Sequence, residues 1–115
     1  MTLIYKILRV AEWREAQAVG VFRGSAADLA DGFIHFSTAM QARATAAKHF
    51  AGERDLTLAA VEAGRLGGDL RWEPSRGGAL FPHLYAELPL ATILWTRPLP
   101  LGDDGAHQFP ESFPT

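Results

Sequence analysis

Short apolar segments with strand-like patterns recur along this chain, and they limit its possible folds more than any other feature. They read LIYKIL, GFIHF, DLTLAAVE, DLRWEP, ALFPHLY and ATILWT, and most are rich in β-branched and aromatic residues. Such short segments, several of them alternating, are typical of strands, and DLTLAAVE carries so little charge that we expect a central strand. Helix formers lie in AEWREAQAVG and after Thr38. The sequence therefore predicts a mixed domain of short strands and a few helices.

The chain has the length of one domain and contains no linker-like segment. At 115 residues and 48% hydrophobic, it can bury a core without disulfides. We assign residues 1–101 to a single domain. Residues 102–115 form a polar, proline-punctuated tail, and we expect Phe109 and Phe113 to pack it on the domain or on a neighbouring copy.

Charge and residue usage exclude several classes of function. The net charge of -2 comes without a basic run, which disfavours nucleic acid as a partner. The absence of cysteine excludes disulfides, thiolate nucleophiles and thiolate zinc sites. Charged residues interrupt the N-terminal apolar segment, so we predict no signal peptide and no membrane span and expect a cytoplasmic protein.

The segment DGFIHFSTAMQ predicts a strand that passes directly into a helix. Alternation places Phe33, His35 and Ser37 on one face. Thr38 and Gln41 have the spacing of a capping box. Because open backbone N–H groups at a helix N-terminus favour anions, we select His35, Ser37 and Thr38 as ligand-contacting residues. The alternative is that His35 is a hydrogen-bonded core residue and that the two hydroxyls are only caps.

The helix after Thr38 has an apolar stripe in its sequence. Met40, Ala44, Ala47 and Phe50 recur at intervals of three and four residues, and we expect this stripe to face the core.

Two further segments contribute candidate site residues. In RWEPS, Glu73 shares a face with Arg71 and lies where Pro74 ends the strand, so it is either a site residue or half of a surface ion pair. In FPHLY, the aromatic and polar rings of Phe81, His83 and Tyr85 share one face, which suits a stacked ring ligand or an amphipathic strand. The proline at position 82 predicts an edge strand or a strand entrance there.

Lys6 and Arg23 complete the candidate set. Lys6 interrupts an otherwise apolar strand, so its ammonium group must reach water, a carboxylate or a ligand anion, and we expect it to reach water. Arg23 precedes a Ser-x-x-Asp spacing in which Ser25 caps a helical turn and Asp28 lies near its positive end. That turn gives Arg23 a fixed base for contacting a ligand.

The segments IYKI, FRGS, DGFIHFST, RWE and FPHLYAELP, in this order, resemble the domain of unknown function 952 family over about the first hundred residues. That family distantly resembles the ADP-ribosyltransferase fold, most visibly the RNA 2'-phosphotransferases, in the block His35 to Thr38. The resemblance implies an α+β fold with two small, mostly antiparallel sheets and flanking helices around a cleft. It also implies NAD or an ADP-ribose-like ligand, with Lys6 where such enzymes carry a histidine or arginine. At the late strand where protein-modifying members carry a glutamate, this chain has His83 or Tyr85.

Three hypotheses follow. The leading one is a protein that binds a nucleotide-like or ADP-ribose-like small molecule between its sheets, with transferase activity if Glu73 or His35 acts as a general base. A second is a divalent-metal-dependent hydrolase with zinc or iron held by His35, His83 and Glu73. A third is a non-enzymatic interaction or regulatory module that uses the FPESFP tail, in a protein that is a monomer or a weak homodimer.

Overall fold

The computed structural model describes residues 1–111 and 113, with Arg76 described through its backbone alone. The described residues contain three α-helices: α1 (Val10–Val19), α2 (Ala26–Asp31) and α3 (Ala39–His49). They contain nine strands: β1 (Leu3–Leu8), β2 (Val21–Phe22), β3 (Ile34–His35), β4 (Ser37–Thr38), β5 (Leu56–Glu62), β6 (Leu70–Pro74), β7 (Leu80–Leu84), β8 (Leu88–Pro89) and β9 (Ile93–Leu99).

The strands form three antiparallel sheets, and the fold is α+β. The largest sheet has the order β4-β1-β5-β9, the second β3-β7-β6, and the third pairs β2 with β8. β5 lies inside its sheet, as predicted for DLTLAAVE. The strand prediction for LIYKIL is confirmed by β1, and the helix predicted to end at Gly20 is confirmed by α1, whose C-cap is Gly20 with a φ of 94°.

The chain changes sheets at Phe36. His35 pairs with His83 of β7, whereas Ser37 pairs with Tyr5 of β1. Between them, the Phe36 N–H donates to the Pro82 carbonyl at 3.0 Å. The prediction of one continuous strand through Ser37 is therefore wrong, because His35 and Ser37 pair with strands of different sheets.

β7 is the central strand of its sheet, so the prediction of an edge strand from Pro82 is wrong. Proline lacks a backbone N–H but keeps its carbonyl, which here accepts from Phe36. Pro82 is tolerated in a central strand because its carbonyl accepts a hydrogen bond and its missing N–H is not needed there.

The four-stranded sheet is buried on both faces. One face packs Ile4, Leu8 and Val61 against the α1 side of the molecule, and the other packs residues such as Ile7 and Leu58 under α3. α3 contacts this second cluster through Ala42 and Ala46, and Met40 is exposed. The predicted Met40 stripe is wrong, because alanines on the opposite side of the helix allow α3 to approach the sheet closely.

The described part of the tail lies on the domain. Phe113 is buried and meets Tyr5 edge-to-face, with ring centroids 4.8 Å apart. The Arg43 guanidinium covers the Phe109 ring at 4.8 Å. Positions 112, 114 and 115 of the predicted tail lie outside the described residues. Among the residues described, no helix has the length and apolarity to cross a membrane.

Candidate functional site

Lys6 lies in the middle of β1 and is buried, with its ammonium group inside the protein. The Nζ atom donates to both carboxylate oxygens of Asp28, at 2.9 and 3.1 Å, and to the His35 carbonyl at 2.9 Å. Burial lowers the pKa of Lys6, and the adjacent carboxylate opposes that shift. The expectation that Lys6 reaches water is wrong, because a carboxylate from α2 lies within reach inside the fold.

Asp28 is the acceptor that joins three parts of the chain. Besides Lys6, it accepts from the Ser25 N–H at 2.9 Å, from the His35 N–H at 3.1 Å and from the His35 Nδ1 at 2.6 Å. Burial alone would raise the pKa of Asp28, but the hydrogen bond from His35 and the charge and hydrogen bonds of Lys6 outweigh it and hold the pKa well below its ordinary value. Asp28 is therefore a carboxylate at neutral pH. The predicted capping by Ser25 is confirmed, since its side chain accepts from the Asp28 N–H.

The His35 imidazole is held between two carboxylates. Its Nδ1 meets Asp28, and its Nε2 lies 2.9 Å from an oxygen of Asp31. Asp31 is more than half exposed, whereas Asp28 is buried. The buried carboxylate therefore fixes the ring from one side, and the second nitrogen points to an exposed partner.

The hydroxyl residues after His35 have structural partners. The Ser37 Oγ lies 2.8 Å from the Thr45 Oγ1, and the Ser37 side chain is buried. Thr38 is the N-cap of α3, and its N–H donates to the Gln41 Oε1 at 3.0 Å. The capping role predicted for Thr38 and Gln41 is confirmed, and the Thr38 N–H is already used inside the chain.

A second carboxylate and histidine meet on the three-stranded sheet. The Glu73 Oε1 accepts from the Tyr85 hydroxyl at 2.7 Å and lies 2.8 Å from the His83 Nδ1. These contacts, the Tyr85 bond first, lower the pKa of Glu73, and the same bond raises the pKa of Tyr85. His83 is buried and Tyr85 is exposed. Glu73 therefore positions His83 from the outer side of the sheet.

Phe33 brings the two histidines together. Its ring stacks on His83 with centroids 4.0 Å apart, and it lies 4.5 Å from the His35 ring and 5.2 Å from the Tyr85 ring. The two imidazole centroids are 5.6 Å apart. The pairing of β3 with β7, which places His35 opposite His83, accounts for this proximity.

A cavity of about 410 Å³ opens beside these residues. Its polar lining includes Lys6, Asp28, Asp31, His35, Ser37 and His83, and its apolar walls include Ile7, Phe36, Phe50 and Phe81. The lining comes from the four-stranded sheet, the three-stranded sheet, α2 and α3. A mostly apolar wall with a few convergent polar groups is the usual composition of a small-molecule site.

Comparison with known proteins assigns the chain to a family. The model of the family described as "Protein of unknown function (DUF952)" matches residues 7–96. This chain belongs to the DUF952 family. No curated protein matches the chain.

Solved structures of one bacterial protein are similar to this DUF952 domain. The crystal structure of protein CC0527 from Caulobacter crescentus is 58% identical, has a TM-score of 0.90 and covers 93% of this chain and 94% of that one. A crystal structure of a double mutant of CC0527 is 57% identical with a TM-score of 0.90 and the same coverage, 93% and 94%. The solution structure of CC0527 is 58% identical, has a TM-score of 0.84 and covers 94% and 93%.

The DUF952 domain brings together only part of the predicted site. Four of the predicted residues line the cavity: Lys6, His35, Ser37 and His83. The remaining four are absent from its described lining: Arg23, Thr38, Glu73 and Tyr85. Arg23 instead forms an exposed ion pair with Glu87 at 3.1 Å. Glu73 contacts His83, which lines the cavity.

The three predicted metal ligands fall into two hydrogen-bonded groups. His83 contacts Glu73, and His35 contacts Asp28 and Asp31. Among the described residues, no group of three or more histidine, aspartate and glutamate side chains is arranged to hold a metal ion.

Sequence reasoning missed Asp28 and Asp31 as site residues of the DUF952 domain. The spacing of Asp28 from Ser25 predicted its place near the helix end. Its burial against Lys6 was not predictable in this way, because the two residues are 22 positions apart in sequence. Asp31 precedes His35 by four residues, a spacing that could have suggested the contact.

Proposed function

We propose that this protein binds a nucleotide-like or ADP-ribose-like small molecule in the cavity around His35. One observation carries the proposal. Side chains from the two larger sheets line a single cavity of about 410 Å³ together with the His35 imidazole, which Asp28 holds in place. Small-molecule sites have volumes of roughly 300–1,000 Å³. The volume suits a nucleoside monophosphate or part of ADP-ribose.

The aromatic and polar lining supports the same class of ligand. Phe36, Phe50 and Phe81 supply rings along the wall, and His83 adds a ring nitrogen. Planar bases bind well against such surfaces, while a few fixed polar groups orient the ribose. The choice of class also rests on the resemblance of the DGFIHFST segment to the RNA 2'-phosphotransferases and, through them, to the ADP-ribosyltransferase-like fold.

The test is thermal unfolding with NAD, ADP-ribose, AMP and adenosine. A ligand present at 100 times its dissociation constant stabilises the protein by about 2.7 kcal/mol, which raises the midpoint of a domain of this size by roughly 10 °C. We expect such a rise with at least one of these compounds, and we expect His35→Ala to lose most of it. Arg97→Ala, an exposed change on β9, is the matched control and keeps the full rise. No rise with any compound would refute the proposal.

A transferase activity is the form of this function that the Asp28–His35 contact favours. Asp28 holds the Nδ1 side of the ring at 2.6 Å, so that, once Asp31 moves away, Nε2 can take the proton of an acceptor hydroxyl or water. The oxygen of that acceptor bonds to C1′ of the ribose as the bond from C1′ to nicotinamide breaks, and nicotinamide leaves. The test is release of nicotinamide from NAD, followed by chromatography. Release that is lost in His35→Ala and retained in Arg97→Ala supports transfer chemistry, and its absence in the wild type limits the protein to binding.

A further inference from the structure

The two nitrogens of the His35 ring have partners that are held very differently. Asp28, at Nδ1, is buried and accepts from Lys6, from Ser25 and from the His35 backbone as well. Asp31, at Nε2, is 55% exposed. An exposed ion pair contributes little, because water and salt screen it, whereas a buried carboxylate with several donors is hard to move. The Asp31 contact is therefore the one that an incoming group can replace.

The position of Asp31 in the chain allows such a replacement. It is the last residue of α2, and Gly32 follows it in the left-handed conformation with a φ of 86°. Both Asp31 and His35 line the cavity. Rotation of the Asp31 side chain toward solvent would leave the Nε2 atom facing the cavity without disturbing the helix or the Asp28 contacts.

The charges around the cavity decide what could take the place of Asp31. The acidic side chains in its described lining are Asp28 and Asp31, and the basic ones are Lys6, Arg9, His35, His49 and His83. Asp28 is already paired with Lys6. Arg9 is paired with Glu53, and His83 with Glu73, so turning Asp31 away frees the Nε2 atom of His35 and leaves no unpaired carboxylate in the described lining. Because the Nε2 atom of His35 already meets a carboxylate oxygen at 2.9 Å, this position favours a negatively charged group.

We propose that the Asp31 carboxylate occupies the position at His35 Nε2 that an oxyanion of the ligand takes on binding. Ligand binding then replaces the Asp31 oxygen at Nε2 with an oxygen of the ligand. In the ligand class proposed above, on which this inference rests, the oxyanion is a phosphate group. Its oxygen takes the position that an Asp31 oxygen now holds, 2.9 Å from Nε2. Asp31 is then an internal competitor that weakens the binding of phosphate-bearing ligands and leaves uncharged ones unaffected.

The experiment is calorimetric titration of wild type, Asp31→Ala and Asp103→Ala with AMP and with adenosine. Asp103 is an exposed aspartate outside the described lining of this cavity, so it controls for the loss of one negative charge. We expect Asp31→Ala to bind AMP about tenfold more tightly than wild type, since it removes both competition and repulsion at close range. Adenosine affinity changes less than about twofold, and Asp103→Ala matches wild type with both ligands. Inorganic phosphate titrated alone should bind Asp31→Ala more tightly than wild type.

Three results would overturn the inference. If wild type binds AMP and Asp31→Ala binds it equally or more weakly, Asp31 is not a competitor and the proposed function stands. If Asp31→Ala raises the affinity for AMP and for adenosine by the same factor, Asp31 obstructs the cavity by its size and not by its charge. If neither ligand binds any of the three proteins, the inference fails, and failure of NAD and ADP-ribose in the thermal test then removes the proposed function as well.

Discussion

Two carboxylate–histidine pairs meet at Phe33, and they differ in which partner is buried. In the Asp28–His35 pair the carboxylate is 2% exposed and the imidazole 36%. In the Glu73–His83 pair the carboxylate is 34% exposed and the imidazole 6%. The contact itself is the same, since the Nδ1 atom lies 2.6 Å from the carboxylate in the first pair and 2.8 Å in the second.

The difference shows how one hydrogen bond can serve two purposes. Where the carboxylate is buried, it must be compensated by charge, and Lys6 supplies this compensation while the imidazole remains available at the cavity. Where the imidazole is buried, it packs as a ring of the core, and the outer carboxylate only orients it. We therefore expect the first pair to depend on Asp28 for stability and on His35 for binding. We expect the second pair to depend on His83 for stability.

The largest effect should come from the buried carboxylate. Asp28→Asn leaves the Lys6 ammonium group buried without a counter-charge, and breaking a buried ion pair in this way costs about 3–5 kcal/mol. The measurement is the free energy of unfolding from urea denaturation. Glu73→Gln is the matched change in the other pair. Because the Glu73 carboxylate is partly exposed, the urea midpoint of this variant should stay close to that of wild type.

A double variant separates charge from packing at the same place. In Lys6→Met with Asp28→Asn, no buried charge is left, and most of the lost stability should return, because apolar groups often replace buried ion pairs without loss. A double variant that is as unstable as Asp28→Asn alone would show that the hydrogen bonds of Asp28, and not the compensation of Lys6, decide its importance.

The second effect is a dependence of stability on acid. The folded-state pKa of Asp28 lies below its unfolded value of about 3.9, so the ionised carboxylate contributes stability that is fully present above about pH 4. That contribution falls by up to about 1.4 kcal/mol per pH unit as the pH drops below this value. The advantage of wild type over Asp28→Asn should therefore shrink by up to about 2.8 kcal/mol between about pH 4 and pH 2. The other carboxylates are common to both proteins, so an advantage that stays constant over this range contradicts the assignment.

The third effect tests the buried imidazole of the second pair. His83→Ala removes a ring that stacks on Phe33 in the central strand of its sheet, and we expect a loss of about 2 kcal/mol. The measurement is again urea denaturation, now compared with Tyr85→Phe, which removes only the hydroxyl bonded to Glu73. A loss in His83→Ala no greater than in Tyr85→Phe would mean that the packing of the His83 ring contributes little to stability.

Local patterns in the sequence were sufficient for several elements. β1 follows from alternation and β-branched content, the end of α1 at Gly20 follows from the need for a residue that tolerates positive φ, and the cap of α2 follows from the spacing of Ser25 and Asp28. Each of these depends on residues within a few positions of one another. Such signals can be read from a single sequence.

The features that sequence failed to predict depend on contacts between distant segments. The change of sheet at Phe36 is decided by which strand each flanking residue pairs with, and one alternating segment fits either arrangement. α3 carries alanines on more than one side, so periodicity alone could not choose between Ala42 with Ala46 and the Met40 stripe. Likewise, the two histidines were each selected as site residues, but their opposite burial follows from the partner strands and helix that surround them.

The smallest effect on stability, and the largest on binding, should come from His35. His35→Ala removes a partly exposed ring, and Asp28 keeps its hydrogen bonds from Lys6, from Ser25 and from the backbone N–H at position 35. No buried acceptor is left without a donor, so the free energy of unfolding should change by about 1 kcal/mol or less. Phe36→Ala, one residue further on and fully buried, is the control and should cost about 3–5 kcal/mol. If His35→Ala is as unstable as Phe36→Ala, the ring belongs to the core, and the contrast between the two pairs fails. If instead stability is retained while AMP or ADP-ribose binding is lost, the exposed imidazole is the binding group, because the folded cavity then lacks only that contact.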